Sequence, residues 1–91
     1  MSSICIPRVE STITKEYIYK TLMNLQIGNI EKIIEIPLRN DTTHKRIIIK
    51  LNWNKNSSSL NMQKILRTIG SVKLVYDMPW YWKIVTTHPQ I

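Results

Sequence analysis

The chain contains no phenylalanine, two glycines and one cysteine, and no long apolar run. Each shortage excludes something. With Gly28 and Gly70 as its only glycines, the sequence has no glycine-rich loop whose amides could cradle a phosphate. A lone Cys5 forms no internal disulfide and belongs to no CxxC pair. His44 and His88 lie far apart with no cysteine or carboxylate at ligand spacing, so a metal site has no support. No apolar stretch approaches the roughly 18 residues that span a bilayer, and the N-terminus lacks a signal-peptide core, which predicts a soluble intracellular protein with no membrane partner. No nucleophile with its base and no paired carboxylates can be assembled, so neither an enzyme nor a cofactor is expected.

Acidic side chains are scarce too, and unevenly so. Six Asp and Glu stand against thirteen Lys and Arg, a net charge of +7. Residues 1–45 hold six basic and five acidic side chains, whereas residues 46–91 hold seven basic ones and, among acids, Asp77 alone. That field favours phosphate-bearing or otherwise acidic partners, although the same lysines also serve solubility alone. Ninety-one residues make one domain, because so short a chain buries only roughly 60 to 65% of its unfolded surface and has no material for a second core.

What is present alternates between two periods. "SICIPRV" has Ile4 and Ile6 on one side and Cys5 on the other before Pro7, which fits a short first strand, and Cys5 reads as a small inert hydrophobe. "ITKEYIYKTLMNLQIG" carries Ile18, Leu22 and Leu25 at helical spacing, with Thr14 as N-cap, Ile13 stapled onto Ile18 and Gly28 as the stop. "NIEKIIEIPLR" returns to strand character, with Ile34 and Ile36 expected inward and Ile33 as an outward or bulged misfit. "NDTTH" reads as a loop. "KRIIIKLNW" is the clearest strand, with Ile47, Ile49, Leu51 and Trp53 on one face and Arg46, Ile48, Lys50 and Asn52 on the other. "NKNSSS" is a loop whose last serines can cap a helix, "LNMQKILRTIG", which buries Met62, Ile65, Leu66 and Ile69. Pro79 divides "SVKLVYDMPWYWKIVTT" into strands of roughly 72–76 and 80–86, and "THPQI" reads as loose.

The order β-α-β-β-α-β predicts an α+β, ferredoxin-like sandwich: a four-stranded antiparallel sheet with two helices on one face, and an extra short strand or hairpin near the C-terminus. The other face stays open. Arg46, Ile48 and Lys50 are expected at its centre beside Cys5, with Arg8 and Lys73 at the margin. Trp80 and Trp82 are expected to face the helices, because the opposite register would bury Lys83 without a partner, and Tyr81 and Lys83 then face outward.

In that order and spacing the chain resembles the RNA recognition motif over nearly its whole length. "ICIPRV" stands where that family has its first-strand hexapeptide, "ITKEYI" looks like its threonine-led first helix, and "HKRIIIKL" stands at its third-strand octapeptide. The family stacks bases on aromatic residues of its two central strands. Here those positions hold Cys5, Arg46 and Ile48, so the resemblance implies the fold more firmly than the usual stacking platform. "QIGNIEKI", "LNWN" and "VYDMPWYWK" are also similar to stretches of small proteins of this type encoded by large nucleocytoplasmic DNA viruses. That likeness implies a viral protein acting in the host cytoplasm or nucleus, or in the virion.

Two functions are expected from this face. One is single-stranded nucleic-acid binding, RNA before DNA, through Arg46, Ile48, Lys50, Tyr81 and Lys83 with Arg8 and Cys5 beside them. The alternative is a protein-interaction or virion-structural module that docks an acidic partner, or another copy of itself, on the same surface with Ile48, Ile33 and Trp80.

Overall fold

The computed structural model describes residues 2–87 of the 91. The order is β1 (Ser2–Glu10), α1 (Lys15–Asn24), β2 (Gly28–Leu38), β3 (Asp41–Trp53), α2 (Ser57–Thr68), β4 (Ser71–Asp77) and β5 (Trp80–Thr86). The strands form one antiparallel sheet in the order β2-β3-β1-β5-β4. The architecture is α+β with two helices and five strands. The fifth is the extra strand expected near the C-terminus, and residues 71–86 pair as a hairpin. β5 lies beside β1 and β4 forms the outer edge. Among the described residues no helix is long and apolar enough to cross a membrane. His88 and the rest of the expected loose end after Thr87 lie outside the described residues.

Both helices bury their stripes in one cluster on one side of the sheet. Ile18 and Leu22 of α1, and Met62 and Leu66 of α2, meet Ile4, Ile6, Ile47, Ile49, Leu51, Trp82 and Ile84. The first helix starts as expected, with the Thr14 hydroxyl accepting from the Tyr17 amide at 3.1 Å and Ile13 packed on the core. The second start is corrected from serine to Asn56, whose side chain accepts from the Ser59 amide at 2.9 Å. Ile69 leaves the expected stripe because it is the C-cap, where the chain turns outward into Gly70 at φ +96°.

Gly28 is not a helix stop. The chain leaves α1 through Gln26 at positive φ, and Gly28 opens β2 with its backbone against β3. A Cβ at that position would stand 2.2 Å from the Asn52 carbonyl oxygen, so only glycine fits without prising the strands apart.

The isoleucines of β2 are placed opposite to expectation. Ile33 pairs with Ile49 and is buried, whereas Ile34 pairs with Ile48 and Ile36 with Arg46 on the open face. A register shift between Ile30 and Lys32 absorbs one residue at Glu31 and reverses the phase of everything after it. "NDTTH" is likewise no loop. Only residues 39–40 turn, and Asp41 onward continues β3, because the Asp41 carboxylate takes hydrogen bonds from the Thr43 amide and hydroxyl that hold the strand end.

Candidate nucleic-acid interface

The face away from the helices is built in rows. Ile34 of β2, Ile48 of β3, Cys5 of β1 and Val85 of β5 are successive cross-strand partners, and Ser71 of β4 follows Val85. They form one mostly apolar row across all five strands. One row to one side, Lys32 faces Lys50. One row to the other side lie Arg46, opposite Ile36, and Lys83, opposite Lys73. With a strand rise of about 3.3 Å per residue, the flanking rows stand about 13 Å apart with the apolar row between them.

Electrostatically the rows are unbalanced. Among the described residues the salt bridges join Arg8 and His44 to Asp41, at 2.5 and 3.1 Å, and Lys45 to Glu35 at 2.7 Å. None involves Lys32, Arg46, Lys50, Lys73 or Lys83. Two of the cross-strand pairs set lysine directly against lysine, an arrangement that costs stability unless something anionic lies over it. Lys73 is partly relieved, since its Nζ sits 4.4 Å from the centre of the Tyr81 ring.

Arg46, Ile48 and Lys50 therefore stand at the centre of the open face, as expected, and Tyr81 and Lys83 stand beside them on β5. Two of the expected contacts have other surroundings than the sequence suggests. Cys5 is on this face but only 6% exposed, closed in by Ile48 and Val85, and burial pushes its thiol pKa up against the opposing pull of Arg46. It forms the floor of the face, a buried thiol that is not activated. Arg8 is spent on Asp41 at the sheet's end. Ile33, the expected docking residue of the alternative reading, is buried beneath the helices.

The two tryptophans part company. Trp82 is 3% exposed and stacks on Tyr76, with ring centres 4.3 Å apart and planes 19° from parallel, while Tyr17 of α1 meets both edge-on at 6.3 Å. Trp80, expected in the core, is 64% exposed. It is the first residue of β5, paired with Asp77 across a register shift, and stands beyond the aromatic trio that closes the core. Lys32 and Ile34 are site residues that the alternation of β2 misplaces, because the shift at Glu31 leaves no mark in the sequence. Comparison with protein-family models, with curated proteins and with solved structures gives no significant match.

Proposed function

We propose that the chain is a non-enzymatic binding module whose open sheet face takes single-stranded nucleic acid. The observation that carries this reading is the pair of lysine–lysine registers, Lys32 with Lys50 and Lys73 with Lys83, on a face where Arg46 also lacks a carboxylate. Phosphates laid along the two basic rows would neutralise that repulsion, while bases rest on Ile34, Ile48 and Val85 and against Tyr81. The strand order β2-β3-β1-β5 with two helices behind it supports an RNA-recognition-motif-like, ferredoxin-like frame extended by β4, and that likeness supports RNA over DNA.

The test is a titration of labelled random-sequence RNA and DNA oligomers at several salt concentrations. Contacts to three to five phosphates give a slope of log affinity against log salt of roughly −2 to −3.5 for single strands, and Arg46→Glu with Lys50→Glu abolishes binding. No binding at low salt defeats the reading.

A second reading has its own observation: no tyrosine or tryptophan stands on β1 or β3 of the open face, where Ser3, Cys5, Arg46, Ile48, Lys50 and Asn52 lie. An apolar row between two basic ones also suits an acidic protein partner or a second copy of the chain. Sedimentation across concentrations, repeated with Ile48→Asp, detects the self-association this reading allows.

A further inference from the structure

The edge of the sheet farthest from β4 has features that the open face does not use. Among the described residues β2 pairs with β3 alone, so alternate N–H and C=O groups along its outer side have no strand there to bond. Two devices protect its ends: the register shift at Glu31, and Pro37, which has no N–H to offer. Between them Lys32 to Ile36 is uninterrupted strand. Beside this segment, on the helix side, a groove of about 410 Å³ runs between α1 and β2. Tyr19, Ile30 and Ile33 give it apolar walls, Lys15 and Lys20 of α1 border it, and Lys32 adjoins it along the strand while its side chain lies in the open-face row opposite Lys50. Glu16 and Glu31 also border it, but the Glu31 carboxylate already accepts from the Asn29 and Asn52 amides at 2.8 and 2.9 Å.

We propose that this edge and groove together take an extended acidic peptide segment of a partner protein, added to the sheet as a sixth strand. An added strand lies about 4.8 Å beyond β2, and its alternate side chains project to the helix side of the sheet. That is where the groove opens. Backbone hydrogen bonds to Lys32–Ile36 supply register, one large apolar side chain enters between Tyr19 and Ile33, and flanking Asp or Glu meet Lys15 and Lys20 of α1. A second copy is disfavoured, because its β2 would bring another Lys32 beside the lysine pair already on the open face. The groove belongs to α1 and β2 on the covered side, and it shares with the basic rows only the backbone of Lys32.

Blocked nonapeptides of alternating Asp and Val with Leu, Phe or Trp at the centre are the probe, read by amide shifts and hydrogen exchange of the intact chain. The expected result is saturable binding below about 1 mM that slows exchange within Lys32–Ile36 and moves Tyr19. The same peptides N-methylated at alternate amides bind at least about tenfold more weakly, since they cannot pair with an edge. The surface change Tyr19→Asp weakens binding comparably, and a saturating random oligonucleotide leaves it unaltered. No binding by any peptide, equal binding of the N-methylated set, shifts confined to Arg46, Ile48 and Lys50, or displacement by the oligonucleotide overturns the proposal.

Discussion

Lys45 and Lys50 lie on the same strand and meet opposite fates. On the helix side, the Lys45 ammonium is largely buried and donates to the Ile13 carbonyl at 2.6 Å and to the Glu35 carboxylate at 2.7 Å. On the open side, Lys50 has Lys32 across from it and, among the described residues, no carboxylate within 4 Å. The covered face is settled throughout: among the described residues no buried side-chain nitrogen or oxygen lacks a hydrogen-bond partner. The open face is left with uncompensated charge. One side of the sheet is answerable to folding, where an unpaired polar group is costly, and the other to whatever binds there.

The contrast can be broken most sharply at the tryptophans. Trp82→Ala removes the buried ring that stacks on Tyr76 and meets Tyr17 edge-on, and lowers unfolding free energy by about 3 to 5 kcal/mol, whereas Trp80→Ala stays within about 0.5 kcal/mol, both read by denaturant titration. A smaller gap separates the lysines. Lys45→Ala costs about 1 to 2 kcal/mol by leaving Glu35 and the Ile13 carbonyl without their donor, while Lys50→Ala leaves stability level or gains a few tenths, roughly, by removing the repulsion with Lys32. Equal losses in the two variants would erase the distinction between the faces.

The smallest effect concerns acid. Hydrogen bonds from the Thr43 hydroxyl and amide, followed by those of Arg8 and the charge of His44, hold the Asp41 carboxyl well below the usual carboxylate range. A carboxyl lowered on folding favours the folded chain in its ionised form, so its contribution is complete above the unfolded value of about 3.9 and is lost as pH falls toward the depressed one. Wild type therefore loses stability below about pH 4 faster than Asp41→Asn. Parallel acid titrations of the two would exclude this if they ran side by side.

How far the sequence reveals all this depends on the element. β3 is legible throughout its centre, because Ile47, Ile49 and Leu51 alternate with Arg46, Ile48 and Lys50, and the same alternation places Tyr81, Trp82 and Lys83 correctly. The order of elements follows from such periods and from the Thr14 cap. β2 is not legible in phase: Ile33, Ile34 and Ile36 offer an apolar side chain to either face, and the deciding shift at Glu31 exists only in the pairing with β3. Trp80 fails for another reason. Alternation assigns a side, but only the reach of the helices decides whether that side is covered at a strand's first residue.

The bare backbone at Gly28 works like the top stop of a zipper. The turn at residues 39–40 aligns β2 with β3, and the solvent-side rows, isoleucine by isoleucine and lysine by lysine, run from it through the kink at Glu31 to an end where the strands lie flush because no side chain intervenes. A methyl group there would press on the Asn52 carbonyl and splay the end of the hairpin that sets Lys32 opposite Lys50.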